Sequence, residues 1–214
     1  MIVLSENAMI AKGSMRGCYH HPDRNDLCIK VDLPETHKPA TLHEIQFLNR
    51  IKRIRRKRPF EAIAQYYGSV ETNLGLGAVF ELVADKDTQN VSEIFMNLLL
   101  QASFEEHLEK YQTALLDFKS RFLKDAVIAR DIRPWNLCAQ RQKDRSIRLK
   151  LIDGMGHRYF IPIYDYIPPL ARRRITLQFE KSGFSDVTTL REKYANDPSN
   201  KWAGTSNAHI SSSF

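Results

Sequence analysis

Apolar and polar residues alternate along several short segments of the first 85 residues, and this alternation predicts β-strands joined by turns. After Pro39 the apolar residues recur at helical spacing, which predicts a helix from Thr41 onward. Thr41 and Glu44 also have the spacing of a capping box at the start of this helix. We therefore expect a small, mainly antiparallel lobe with one helix over residues 1–85. The predicted strands are 5–13, 16–19, 27–32, 66–72 and 76–85, and the apolar face of the helix consists of Leu42, Ile45, Leu48, Ile51 and Ile54.

Beyond Ser92 the pattern changes, and the longest amphipathic segment of the chain has a helical period. Ser103 and Glu106 have the spacing of a capping box at its start. We therefore expect a shortened, mainly helical second lobe over residues 86–195. The apolar stripe of the long helix consists of Phe104, Leu108, Tyr111, Leu115, Phe118 and Phe122.

After the long helix, residues 127–140 and 146–156 flank a turn-rich stretch and predict a strand hairpin. A further helix is expected after Pro168. Residues 196–214 have the composition of a flexible tail. Together these elements predict an α+β fold with a strand-rich amino-terminal lobe and a helical carboxy-terminal lobe.

The composition is that of a globular protein. The chain has 214 residues, 43% hydrophobic and 27% charged, which suits one globular unit or two small lobes and excludes fibrous or largely disordered proteins. The formal net charge is +7 and the pI is about 9.3. This cationic surplus favours acidic partners such as nucleotides, nucleic acids or anionic lipids, without choosing among them.

Cysteine usage and hydropathy bear on the location of the protein. Cys18, Cys28 and Cys138 are an odd set without a CxxC pair, which argues against a disulfide framework and a cysteine-rich zinc site. We therefore expect a reducing, cytoplasmic compartment. Asn97 and Gln101 interrupt the most apolar window, which is shorter than the roughly 18 residues of a membrane span. The sequence predicts no such span.

Four polar residues at the ends of the predicted hairpin form the chemically suggestive set. Asp131, Arg133 and Asn136 lie in the segment DIRPWN, and Asp153 ends the strand LKLID. Carboxylate and amide oxygens are the hard ligands that Mg²⁺ prefers, and an arginine can neutralise a phosphoryl group. Alternatively, Asp131 and Asn136 only form a turn and Asp153 only ends a strand.

This set resembles the protein-kinase-like fold, in which the segments HRDLKxxN and DFG supply the catalytic and metal-binding residues. The resemblance implies that Asp131 orients the phosphate acceptor, that Arg133 neutralises the transferred group, and that Asn136 and Asp153 bind Mg²⁺. Ala129 stands in the place of the motif's histidine, and Gly154 in the place of its phenylalanine. Both departures put regulation by an activation loop in doubt.

The first lobe contains the partners that the resemblance requires. Lys30 in LCIKVD corresponds to the kinase lysine that binds the α- and β-phosphates, and Glu44 corresponds to its ion-pair partner. Gly13 and Gly17 occupy the place of the glycine-rich loop, although GxGxxG is absent and a plain hairpin turn explains them equally well. The alternatives for Lys30 and Glu44 are a solvated strand lysine and the capping box with Thr41.

Within kinase-like proteins, the chain is similar to the bacterial YrbL family of the PhoP regulatory network. That similarity extends over roughly residues 5–185 and implies a kinase-like fold, but it brings no established substrate. Its motifs are GxxR before CYxHP, then LCIKV, RDIRPxN and IDGxG, with Arg16, Cys18, Tyr19, His21, Pro22, Pro134 and Gly156 among their residues.

From this reasoning we expect an ATP- and Mg²⁺-dependent phosphotransferase acting on an unknown small-molecule or protein acceptor. The alternative is a catalytically silent nucleotide-binding regulator. A lower-ranked hypothesis is a nucleic-acid adaptor, prompted by the basic runs Lys52–Arg58 and Arg172–Arg174. These runs are better explained as solvated helix faces, so we do not expect a nucleic-acid partner.

Overall fold

A five-stranded antiparallel sheet forms the first part of the computed structural model, which describes residues 1–36, 40–54, 58–156 and 163–195. The strand order is β1-β2-β3-β5-β4. The alternating segments of the sequence therefore form strands, as predicted, except that Glu6–Ala8 is a 3-10 helix and the last of these strands ends at Glu81. Their bounds are β1 Met9–Lys12, β2 Arg16–His21, β3 Arg24–Asp32, β4 Tyr66–Thr72 and β5 Gly75–Glu81.

The register of β2 against β3 decides which side chains share a face of this sheet. Cys18 pairs with Lys30 and Arg16 pairs with Asp32, so Arg16, Cys18 and Lys30 lie on one face. Ile29 and Val31 lie on the opposite face, as their alternation with Lys30 predicts. There they pack in a separate apolar cluster that also contains Leu4, Tyr19, Leu27 and Val79.

Helix α1 (Ala40–Ile54) follows β3 and buries Ile45, Leu48 and Ile51. The predicted helix is confirmed, but the capping box at Thr41 and Glu44 is wrong. The Thr41 amide and hydroxyl both donate to the carboxylate of Asp32, at 3.0 and 2.8 Å. A residue at the end of β3 therefore supplies the acceptor near the start of the helix, which leaves the Glu44 carboxylate available for another partner.

The second part of the chain combines a small antiparallel sheet with helices. The sheet has the order β6-β7-β8, and β7 and β8 form the predicted hairpin. The mixed α+β class is thus confirmed. The elements are β6 Glu93–Ile94, α2 Phe95–Leu100, α3 Leu108–Asp125, β7 Leu137–Arg141, β8 Ile147–Leu151, α4 Ile163–Tyr166, α5 Pro168–Ser182 and α6 Val187–Ala195.

Helix α3 is the long helix predicted from the aromatic and aliphatic stripe, and most of that stripe is fully buried. Phe118 and Phe122 pack edge-on against Phe179 of α5, with ring centroids 6.3 and 5.9 Å apart. Burying each such side chain contributes roughly 1.5–3 kcal/mol. The capping box at Ser103 and Glu106 is wrong, because residues Ala102–His107 form a 3-10 helix ahead of α3.

The predicted tail, residues 196–214, lies outside the described residues. In the part of the chain that the structure describes, no helix combines the length and apolar character needed to cross a bilayer.

Candidate functional site

The segment from Asp131 to Asn136, called here the DN loop, closes on itself through hydrogen bonds. The Asn136 side-chain amide donates to the main-chain oxygen and to Oδ2 of Asp131, both at 3.1 Å. The Asn136 main-chain amide also donates to the carbonyl of Arg133 at 2.9 Å. Pro134 begins a single 3-10 turn that ends at Asn136. The order D-x-x-P-x-N therefore turns the chain so that the first and last side chains meet.

Backbone hydrogen bonds fix Asp153 and Gly154 beside the DN loop. The Gly154 carbonyl accepts from the amides of Arg130 and Asp131, at 2.7 and 3.2 Å, and the Ile152 amide donates to the Asn136 carbonyl at 2.8 Å. Gly154 has φ +80°, in the region that favours glycine. Because β8 ends at Leu151, the segment that follows is free to pair with the loop instead of a strand.

Lys30 extends from β3 to the same place. Its side chain is buried, its Nζ donates to the main-chain oxygen of Ile152, and it lies 4.5 Å from the ring centroid of Phe80. The structure thus places Lys30 beside Asp153, although the two residues are far apart in sequence. A solvated strand lysine, the alternative considered for Lys30, does not describe this buried position.

Glu44 is buried on α1, but its partner is not Lys30 as the resemblance implies. Glu44 Oε2 accepts from Nη1 of Arg16, while Nη2 of the same guanidinium donates to Oδ1 of Asp153. The reason is the register of β2, which directs Arg16 to the face that α1 covers. Arg16 therefore bridges two carboxylates that come from α1 and from the segment after β8.

The charges of this cluster support one another. Burial would raise the pKa of Asp153, but Lys30, Arg16 and the Gly154 amide outweigh it and hold that pKa below its ordinary value. For Arg16, burial alone would lower the pKa, and the carboxylates of Glu44 and Asp153 raise it instead. Asp153 is consequently ionised and Arg16 is a permanent cation at neutral pH.

Arg133 turns back on its own loop. Its Nε lies 2.6 Å from Oδ1 of Asp131, and its guanidinium lies over the ring of Trp135, 5.0 Å from the centroid. Trp135 in turn packs edge-on against Tyr194 of α6 at 5.4 Å. Arg133 and Asp131 thus form an ion pair within the DN loop, while Trp135 packs between the loop and α6.

The two glycines proposed for a phosphate-binding loop have local explanations. The Gly13 amide donates to the Arg16 carbonyl at 2.7 Å and closes the turn between β1 and β2. Gly17 is buried, and a Cβ there would lie 2.7 Å from the ring of Tyr19, on the face away from Lys30. The hairpin itself accounts for both residues, and their contact with phosphate stays a prediction.

The kinase resemblance also implies that main-chain groups of residues 81–84, at the end of β5 and after it, meet an adenine ring. In the structure, the Leu82 amide donates to Asp26, the Val83 carbonyl accepts from Ser92 at 2.9 Å, and the Ala84 carbonyl accepts from Gln140 at 2.7 Å. These main-chain groups fix the connection between the two sheets. A contact with adenine stays a prediction.

The residues selected as magnesium ligands suit a hard cation. Both groups next to the Asn136 amide nitrogen are acceptors, so the amide nitrogen must face them, and Oδ1 is left as its ligand atom. Asp153 adds a carboxylate. In the described ranges no group of three or more His, Cys, Asp or Glu side chains is arranged for a metal ion. Mg²⁺ held by one or two protein oxygens, phosphates and water requires no such group.

Two cysteines extend the charged face of the sheet. The neighbouring thiol of Cys28 lowers the pKa of Cys18, and Lys30 and Arg16 lower it further against the effect of burial. Cys18 and burial raise the pKa of Cys28, whose thiol donates to the Glu81 carbonyl at 3.8 Å. Burial raises the pKa of Cys138 to about 12. Cys18, which is only half-buried, is therefore the thiol with the most anionic character.

The basic runs lie elsewhere, and Arg55, Arg56 and Lys57 of the first run are outside the described residues. In the second run, Arg172 is exposed and donates to the Leu123 carbonyl at 3.1 Å. A broad surface groove between α3 and the β7-β8 hairpin contains Lys143 and Arg148, but neither Lys30 nor Asp153.

Sequence reasoning did not assign Arg16 a role, although the signal was present. Arg16 belongs to one of the family's motifs, but its face does not follow from counting back from the turn, because the register of β2 against β3 shifts between His20 and His21.

Comparisons with known proteins agree with the sequence motifs. The sequence model of the family described as "PhoP regulatory network protein YrbL" matches residues 2–182. The Escherichia coli (strain K12) protein named "Uncharacterized protein YrbL" is 27% identical over 166 residues, which are 76% of this chain and 77% of that protein. The protein of the same name from Shigella flexneri matches to the same extent.

Proposed function

Since the chain belongs to the PhoP regulatory network protein YrbL family, we propose that within this family it binds ATP with Mg²⁺ on a kinase-like fold and transfers a phosphoryl group. The observation that carries the proposal is the meeting of Lys30, Asn136 and Asp153, which are distant in sequence, around the end of β8. Phosphoryl transfer requires positioning and charge neutralisation more than covalent chemistry, and this cluster has the residue types for both.

Each residue has a role in the proposal. Asn136 and Asp153 would hold Mg²⁺, which neutralises the phosphates when bound, and Lys30 would contribute a cation beside them. Asp131 would accept the proton of the acceptor hydroxyl. Arg133, which forms an ion pair with Asp131, would add positive charge near the transferred group.

The acceptor is proposed to be a small molecule or a protein, which the chemistry of the site alone does not distinguish. A small acceptor is the first class to test.

A catalytically silent nucleotide-binding regulator is the second candidate, and one observation favours it. Arg16 already satisfies the Asp153 carboxylate from within the protein, and Gly154 replaces the phenylalanine of the kinase motif. A protein with this arrangement could bind a nucleotide without transferring its phosphate. Nucleotide binding would then change the contacts between this protein and a partner.

Turnover distinguishes the two candidates. The experiment measures ADP release from Mg-ATP by the wild type and by Asp131→Ala, with Asp23→Ala in the exposed turn between β2 and β3 as the matched control. Loss of at least about a hundredfold in Asp131→Ala alone supports the enzyme, since general acid–base groups contribute roughly 10²–10⁴-fold. Binding of Mg-ATP without turnover by the wild type supports the silent regulator.

A further inference from the structure

Arg16 is the buried cation that joins the two acidic residues of the candidate site. Its side chain is 12% exposed, that of Glu44 is 5% exposed, and that of Asp153 is 44% exposed. Glu44 is thus the permanent partner, inaccessible to solvent, whereas Asp153 faces outward. A ligand can reach the Asp153 end of this bridge without disturbing the Glu44 end.

A metal ion bound by Asp153 would remove one of the two anionic partners of Arg16. If the carboxylate turns to a divalent cation, one edge of the buried guanidinium loses its anionic partner, which is costly in a site shielded from water. The planar guanidinium matches the oxygens of a phosphate as well as those of a carboxylate. Phosphate oxygens of the nucleotide that accompanies the cation can therefore replace Asp153 on Arg16.

Lys30 does not replace Asp153 on Arg16, because its Nζ donates to the main-chain oxygen of Ile152 and lies over the ring of Phe80. In the protein kinases to which this chain is similar, the glutamate of the helix holds the strand lysine. Here Glu44 holds an arginine from the neighbouring strand, so the cation that it orients is Arg16.

We propose that Arg16 is a phosphate-binding residue of the site, held in position by Glu44, and that it exchanges Asp153 for nucleotide phosphate oxygens when Mg²⁺ binds. This inference rests on the proposed nucleotide binding and assigns the phosphate contact to β2. It makes Glu44 a positioning residue, because Glu44 acts only through Arg16.

The test compares the affinities of adenosine, ADP and ATP, with Mg²⁺ present, for the wild type, Arg16→Lys and Arg16→Ala. We expect Arg16→Ala to weaken ATP binding about tenfold or more, ADP less, and adenosine by less than about twofold, with Arg16→Lys between wild type and Arg16→Ala. Arg50→Ala is the matched control, because Arg50 on α1 also forms an ion pair with a buried carboxylate, that of Asp165, and the variant removes this pair. Its affinities should equal those of the wild type.

Removing Arg16 leaves Glu44 buried without its cation, so Arg16→Ala combined with Glu44→Gln is measured as well. Equal loss of adenosine and ATP binding in the double variant would mean that Arg16 only supports the fold, and the inference is then wrong. Unchanged or tighter ATP binding by Arg16→Ala also overturns it, since Arg16 would merely block Asp153. If the wild type binds none of the three ligands, the proposed function itself fails.

Discussion

A side chain at position 154 would overlap the main-chain oxygen of Asp131, so Gly154 and Asp131 can approach as they do only because residue 154 is glycine. Its Cβ would also lie 3.0 Å from the Asp131 Cβ and 3.2 Å from the Asn136 amide nitrogen. The glycine that follows Asp153 therefore has a steric reason in this chain. It allows the segment after β8 to pack directly on the DN loop.

Gly154→Ala should accordingly lower the free energy of unfolding by roughly 3 kcal/mol, through strain at positive φ plus the overlap with Asp131. Gly75→Ala is the control, because Gly75 has φ +110° but a Cβ there meets nothing within 4 Å. It should cost only about 1 kcal/mol. Urea unfolding of both variants makes the comparison, and equal losses would show that the contact with Asp131 has no energetic weight.

Asp153 should make the stability depend on pH in acid. Its folded-state pKa is below the ordinary 3.8, so the ionised carboxylate stabilises the fold above that value, and this contribution is lost as the pH falls through the lowered pKa. Asp153→Asn should cost about 1 kcal/mol near neutral pH, a small value because solvent screens the half-exposed group. The difference from wild type should therefore shrink as the pH falls below 3.8 through the lowered pKa. A difference that stays constant on acidification contradicts this assignment.

Arg121 should be among the most sensitive positions of α3. It is buried, pairs with Asp117, and donates to the carbonyls of Glu61 and Leu149, at 2.7 and 3.0 Å. Arg121→Ala leaves those carbonyls unsatisfied and should lower the free energy of unfolding by about 3 kcal/mol. Arg148→Ala, on the exposed face of β8, should change it by less than about 0.5 kcal/mol. Thermal and urea unfolding check both values.

Cys18 should be the first cysteine to react with iodoacetamide, because it is half-buried and its pKa is lowered by Cys28, Lys30 and Arg16. Cys138, with a pKa raised to about 12, should react only after unfolding. Peptide mass spectrometry after timed labelling reads the order. Labelling of Cys138 before Cys18 in the native protein would contradict the described environment of the β2 strand.

The regular elements could be predicted from the sequence because their signals are local. The stripe from Phe104 to Phe122 and the alternation around Lys30 require only the helical and strand periods. Both elements formed, although Phe104 lies in the 3-10 helix ahead of α3 and β3 begins earlier than predicted, at Arg24. Both predicted capping boxes were wrong, because groups outside the four-residue motif also determine how a helix begins. At Thr41 that partner is Asp32, which follows Lys30 on β3.

The site was only partly predictable, because its residues meet through tertiary contacts. The spacing of Asp131 and Asn136 within one turn is a local feature and was read from the sequence. The pairing of Arg16 with Glu44 and Asp153 joins residues 28 and 137 positions apart, and no local pattern determines which cation a buried carboxylate takes. The register of β2 against β3 determines that this cation is Arg16.

The most direct test of the central claim is calorimetric titration of ATP into the protein with and without Mg²⁺. The account predicts saturable binding that requires Mg²⁺, is lost in Asp153→Asn, and is retained in Asp26→Asn, whose carboxylate lies on the exposed end of β3 and pairs with Arg24. Binding of equal strength in wild type and Asp153→Asn, or no binding by the wild type at any Mg²⁺ concentration, would contradict it.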